Sequence, residues 1–322
     1  MRFIATRLVR LVTVLFAVAA LRYLLLSFLP GDPTLALLGP ASGDPVARTQ
    51  LRHHLGLDRP FPIRFGDWVT KAAHGDLGHS YVTNESVLRT IGDRLPLTVE
   101  LMVLSIALAL IIAVPVGIAS SRKPNGWFDR VSGGALFGFL ALPAFMLGVL
   151  LIDIFAVQLQ WLPATGVAEW FHIGHGVVAT PASILLPIIT LTVGQLAVFA
   201  RLLRSEMLIT LRSDYIMTAK SRGLSERRIL LGHALRPSSF ALLTVAGINI
   251  GALIGGTIIV EQLFALPGMG RLLVTSIFKR DYLVVQGCVL LISAAFVLAN
   301  FCVDLLYGVL DPRVRRGGGH GG

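Results

Sequence analysis

Charged residues are scarce in this 322-residue chain, at 14% of the total. A soluble domain carries about a quarter. Mean hydropathy is +0.75. Together these values exclude an ordinary soluble globular domain. No ten-residue alternation of apolar and polar residues runs through the chain, so the sequence does not describe a β-barrel. There are only two cysteines, Cys288 and Cys302, both in the last apolar run. Fourteen residues of helix separate them by about 21 Å, too far for a disulfide within one chain. They read as buried thiols. No G-x-x-x-x-G-K-[ST] loop is present to cradle ATP. Neither H-E-x-x-H nor G-x-S-x-G occurs. The histidines fall as His53/His54, His74/His79 and His172/His175, with His233 and His320 alone, short of the three or four placed ligands of a zinc site. No internal repeat is visible.

Long apolar runs are what the chain has instead. Six reach the roughly 20 residues needed to cross a bilayer as a helix. They lie near 9–29, 97–119, 131–158, 181–203, 238–260 and 283–309. The first follows the basic start MRFIATRLVR but exceeds the h-region of a signal peptide, and no A-x-A-like site precedes FLPGDP. It reads as a retained helix. The net charge of +10 follows topology rather than a nucleic-acid surface. With the N-terminus in the cytoplasm, 17 of the 28 basic residues fall on cytoplasmic segments. The short outer loops hold few, which sets both termini inside.

Segment 30–96 is the sizeable outer region. It opens on the turn LPGDP, and Asp44 with Pro45 can start a helix. It reads as a small ordered subdomain. The core is 97–310, and 311–322 is a basic, Gly-rich cytoplasmic tail. Gly247, Gly251, Gly255 and Gly256 suit close helix packing, or a helix lining a path that opens and closes. Polar residues inside spans are costly and therefore informative. They are Asp153, Gln195, Asn249, Asn300 and Asp304, with Arg22 snorkelling from the first span. Gln195 and Asn249 are the most central. They read as an interhelical hydrogen bond or as the lining of a substrate path. No Asp/Glu/His chain suggests a proton relay.

The stretch from Ser213 to Pro237, SDYIMTAKSRGLSERRILLGHALRP, interrupts the apolar pattern. Ser213 and Ser225 are N-cap candidates, and Gly223 suits a left-handed helix end. The reading is helix, Gly-Leu elbow, helix. Ala219 and Gly223 lie four apart on one face, where another protein could approach. Tyr215, Ile216 and Met217 would fill its pocket, and Arg222, Arg227 and Arg228 would meet acidic groups. Two amphipathic helices on lipid headgroups fit the same residues.

The elbow resembles the cytoplasmic "EAA" loop of ABC-importer permeases. Aligned on Gly223, Ala219 matches the second alanine and Leu235 the leucine. Met217 stands at the glutamate, Thr218 at the first alanine and His233 at the isoleucine, and Pro237 falls one residue late. Further motifs resemble the dipeptide/oligopeptide permease family. These are FLPGDPTLALLG, LGLDRPFPIRFGDWV, GDLGHSY, RLPLTVEL, GLSERRILLGHALRP, VEQLFALPGMGRLL, RDYLVVQG and VDLLYGVLDPRVR. They cover nearly the whole chain and match the subunit with the long first outer loop.

The resemblance implies an all-α membrane protein of the bacterial inner membrane, with six transmembrane helices of the type I ABC importer permease class. It implies a second six-helix permease, two cytoplasmic ATPases that bind ATP and Mg, and an extracytoplasmic binding protein. It implies no cofactor and no enzyme activity for this chain itself. The coupling loop is about 212–237, with Asp214, Tyr215, Met217, Ala219, Arg222, Gly223, Leu224, Arg227 and Leu235 facing the ATPase. Gln195 and Asn249 are assigned to the path. Glu261 and the LPGMG turn, with Pro267, Gly268 and Gly270, are assigned to an outer gate. Cargo is expected to be di- or oligopeptide, with haem, nickel or another small solute as the alternative. A membrane scaffold without transport is the reading from another class.

Overall fold

The computed structural model describes Thr13, Phe16, Ala17, Ala20 and residues 44–54, 58, 60–165, 171–173, 176–178 and 181–310. The first expected span, with Arg22, lies largely outside these residues, as does the tail 311–322. The side chains of Cys302 and Asp304 also lie outside them.

Helices dominate. In order they are α1 (Pro45–His54), α2 (Phe61–Ala73), α3 (Val87–Arg122), α4 (Trp127–Ala141) and α5 (Ala144–Leu151). A π-helical stretch, Ile152–Gln158, extends α5. Then come α6 (Pro181–Leu211), α7 (Asp214–Ser221), α8 (Leu235–Leu263), α9 (Met269–Phe278) and α10 (Tyr282–Leu310). One element departs from the all-helical expectation. Phe171–Ile173 and Gly176–Val178 pair as a small antiparallel hairpin.

Four described helical stretches are long and apolar enough to span a membrane: Val87–Arg122, Ala182–Leu211, Glu226–Gly251 and Tyr282–Phe301. The 36 residues of α3 measure about 54 Å at 1.5 Å each. This exceeds the roughly 30 Å hydrocarbon core, so α3 projects beyond it. The expected span 131–158 is interrupted. It is a bent pair, Trp127–Ala141 and Ala144–Gln158, meeting at 101°. The cause is local. Pro143 disfavours the α-region for the residue before it, and Leu142 is extended at φ −89°, ψ 122°.

Two compact units divide the chain. One draws on Met1–Thr98, Glu169–Val178 and Pro267–Leu298. The segment expected to form a small subdomain, 30–96, shares this unit with α9 and most of α10. Its core is Leu77, Val87, Ile91, Met269, Val284 and Cys288. Motifs far apart in sequence meet here. Ser80 of GDLGHSY donates its hydroxyl to the buried Asp281 of RDYLVVQG. The Tyr81 N–H reaches the same carboxylate at 3.3 Å. Thr98 of RLPLTVEL accepts the Met269 N–H of LPGMG at 2.9 Å. Gly287 lies so close to α3 that a Cβ would stand 2.6 Å from Val87 and 2.8 Å from Ile91.

The other unit, Val99–Ala168, Ala179–Leu266 and Ala299–Gly322, is built on α6 packed along α8. Large side chains on α6 (Phe199, Leu203, Met207) interdigitate with Ala109 and Ala113 of α3 and Ala246 of α8. Gly148 of α5 lies against Leu263 and Thr190, so α5 closes on α6 and α8.

Replacing Gly287 by valine overpacks that contact and is expected to destabilise the chain by about 2 kcal/mol. At Gly255 nothing stands within 4 Å of an added Cβ, so alanine there is expected to stabilise by about 0.5 kcal/mol. Thermal unfolding of the detergent-solubilised chain checks both. An unaltered midpoint for Gly287→Val contradicts the packing.

Candidate coupling elbow

Ile216, Ala219 and Ile229 form a small buried cluster between α6 and α8, with Leu211 and Leu224 packed against it. The chain leaves α6 through Ser213, whose carbonyl accepts the Ile216 and Met217 N–H groups and so starts α7. No side-chain cap bond forms at Ser213 or Ser225. The hydroxyl of Ser213 instead donates back to the Thr210 carbonyl at 2.6 Å. The end of α7 follows the expectation for Gly223. Its φ is +76°, the Gly223 N–H donates to Lys220 O, and the Leu224 N–H donates to Ala219 O. This pair of bonds is a Schellman motif, and the apolar contact that accompanies it is supplied by Leu224.

The second limb opens with Ser225 extended and a helical turn, Glu226–Arg228. A π-helical stretch, Ile229–Ala234, then leads into α8, where the sequence suggested an ordinary helix. The His233 ring N–H donates to the Arg228 carbonyl at 3.2 Å. At the base, the hydroxyls of Thr210 and Ser238 lie 3.1 Å apart and pin the two limbs together.

The placement of side chains corrects one part of the sequence reading. Ala219 is 7% exposed and Ile216 fully buried, so neither faces outward. The small side chain of Ala219 lets the two limbs close on each other. Gly223 points into open space. The outward surface includes Asp214, Tyr215, Met217, Lys220, Arg222, Glu226, Arg227, Arg228 and Leu231, all exposed. Tyr215 is 49% and Met217 61% exposed. Leu224 and Leu235 are half-buried.

Two ion pairs escaped the sequence reading. Arg122, the last residue of α3, grips Glu226 with Nε on Oε1 and Nη2 on Oε2, both at 2.9 Å. Arg204 of α6 grips Asp129 of α4, with Nη2 2.7 Å from Oδ2. Asp129 also accepts the Asn125 N–H at 2.8 Å, and it is 7% exposed. These partners stand 104 and 75 positions apart, and no local pattern pairs them.

The other expected residues lie elsewhere. Gln195 of α6 and Asn249 of α8 are half-buried, and the Gln195 Oε1 is buried without a hydrogen-bond partner among the described residues. Asp153 is exposed and accepts Gln158 Nε2–H at 2.7 Å. Glu261 is fully buried near the end of α8. Gly268 and Gly270 are buried and Pro267 half-buried in the other unit.

Comparisons with known proteins agree on one kind of molecule. The family described as "Binding-protein-dependent transport system inner membrane component" matches residues 96–316. Its N-terminal companion, "Binding-prot-dependent transport system membrane comp, N-term", matches 1–102. A protein of Brucella abortus (strain 2308) named as a peptide transport system permease is 39% identical over 97% of this chain and 98% of its own. The glutathione transport system permease protein of Pectobacterium atrosepticum is 39% identical over 96% and 97%. A chain of the MetNI methionine ABC transporter shares the fold. Its TM-score is 0.54 at 17% identity, covering 70% of this chain and 96% of that one.

Replacing Asp129 by alanine strands the Arg204 guanidinium and frees the Asn125 amide. It is expected to destabilise the chain by about 2 kcal/mol, read as a lower thermal midpoint. A midpoint equal to the parent's contradicts a structural role for the pair.

Proposed function

The chain belongs to the binding-protein-dependent transport system inner membrane component family, and from that premise we propose how it works as a multi-pass permease subunit of an ABC importer. The elbow is the docking point of a cytoplasmic ATPase. The observation that carries this reading is the elbow's construction. The buried side chains of Ile216, Ala219 and Ile229 hold a fixed shape, and the elbow presents Tyr215, Met217 and the cations Lys220, Arg222, Arg227 and Arg228 outward. A helix pair serving only as a lipid anchor would turn its apolar face to the bilayer. Here the apolar residues are divided, with Ile216, Ala219 and Ile229 inward and Tyr215, Met217 and Leu231 outward among cations.

Asp214, Tyr215, Met217, Arg222, Arg227 and Leu224 meet the ATPase, while Ala219, Gly223 and Leu235 hold the shape that does so. The positive rim suits an acidic surface. ATP and Mg are bound by the partner, and this chain supplies no covalent chemistry. Closure of two ATPases moves the elbows, and this permease with a second six-helix permease rocks between inward- and outward-open states. An extracytoplasmic binding protein delivers cargo. Both termini are cytoplasmic, a reading supported by the distribution of basic residues.

The cargo is a short peptide, a reading supported by relatives named for peptide and glutathione transport. Gln195 and Asn249 line the path. An orphan carbonyl such as the Gln195 Oε1 is suited to accept a cargo amide N–H in passing. Glu261, Pro267, Gly268 and Gly270 belong to the outer gate.

Gly223→Arg places a long cation at the open tip of the elbow. It is expected to lower the amount of ATPase that co-purifies with the tagged chain and to abolish peptide-dependent ATP hydrolysis. Gly223→Asn, which tolerates the left-handed region, separates backbone strain from occlusion and should retain both. Unchanged peptide-dependent hydrolysis in assembled Gly223→Arg contradicts docking at the elbow.

A further inference from the structure

We propose that the turn joining α3 to α4 is a second carrier of elbow motion, fastened to the elbow by the Arg122–Glu226 pair. The proposal rests on the reading that the elbow docks an ATPase. By chain connectivity alone, a moving elbow pulls on α6 and α8, the helices it joins. Neither α3 nor α4 is continuous with it. Glu226, however, opens the second limb, and Arg122 ends α3 with both of its forward N–H groups on the two carboxylate oxygens. Bidentate contact fixes direction as well as distance.

The pair is not there for stability. Its side chains are 55% and 58% exposed, and exposed pairs contribute little to folding. What it does have is a rigid anchorage behind it. Ser120 of α3 and Ser132 of α4 lie with hydroxyls 3.1 Å apart. The Asn125 N–H is held by Asp129. Asp129 is in turn gripped by Arg204 of α6, the helix that feeds the elbow's first limb. Contacts thus run in a closed circuit from Glu226 to Arg122, through the α3–α4 turn to Asp129, and through Arg204 back along α6. A shift of the second limb against this circuit breaks two charge-assisted bonds, whereas a shift that carries α3 and α4 along breaks none.

Distance measurement between spin labels in the assembled, lipid-reconstituted importer tests this. Labels are placed on cysteines introduced at Ile111 of α3 and Ile248 of α8, both exposed, with Cys288 and Cys302 replaced by alanine. In the parent, trapping the ATPases with ATP and vanadate is expected to leave the α3–α8 distance distribution unchanged, because α3 travels with the limb that leads into α8. Arg122→Glu is expected to show a shift on trapping, as α8 moves without α3, while keeping its thermal midpoint. The exchanged pair, Arg122→Glu with Glu226→Arg, is expected to remove that shift. Arg122→Lys, which offers a point charge without the fork, is expected to fall between. An unchanged distribution in Arg122→Glu overturns the proposal, and so does a shift that persists in the exchanged pair. So does a midpoint lowered by Arg122→Glu, because the pair would then be structural. An ATPase that does not co-purify with the parent overturns the docking reading together with this one. An Arg122→Glu importer that keeps its ATPase and shows no shift overturns this one alone.

Discussion

A backbone leaving a helix must satisfy its last carbonyls, and at Gly223 the chain does so by turning left-handed. The two bonds that close this turn, Gly223 to Lys220 and Leu224 to Ala219, bring Leu224 down onto Ile216 and Ala219. Ile229 of the second limb then completes the cluster. The rest of the site depends on that turn. If Gly223 could not hold φ +76°, the limbs would separate, Ala219 would lose its cover, and Tyr215 and Met217 would have no fixed platform. A side chain with Cβ costs about 1–2 kcal/mol in this region, which is why glycine stands there.

The chain also ends helices left-handed without glycine. Ala265 and Arg280 have φ of +53° and +57°. Leu266 and Asp281 donate their N–H groups back to Glu261 and Ser276 in the same pattern as Leu224. These turns frame LPGMG and RDYLVVQG. The motifs that identify the family are thus not scattered decorations. Several of them make one unit, joined by the buried Ser80–Asp281 contact and the Thr98–Met269 bond, and their spacing in sequence conceals this.

Much of the fold was legible because membrane spans obey a single physical demand, that backbone groups bond internally in lipid. Apolar run length therefore located Val87–Arg122, Ala182–Leu211 and Tyr282–Phe301 well. The run near 131–158 satisfied the same length rule, yet it bends by 101°. Pro143 was visible, but the length rule takes no account of the α-region it disfavours at Leu142. In the elbow, the left-handed glycine and the two limbs followed from residue type. Which face of α7 turns inward did not. Spacing put Ala219 and Gly223 together, whereas burial put Ala219 with Ile216 and left Gly223 outside. A helix face acquires its meaning from what the rest of the chain brings against it. Arg122–Glu226 and Asp129–Arg204 were hidden for the same reason, since pairing across many positions leaves no local trace.

The elbow as a shaped platform leads to a direct test of whether another protein sits on it. A photoreactive amino acid placed at Met217, on the outward face, should cross-link in native membranes to a cytoplasmic ATPase subunit. The same group at Ala219, on the inward face, should give no such product. Cross-linking of the Met217 probe to lipid alone, or equal yields of ATPase product from both positions, would contradict the account.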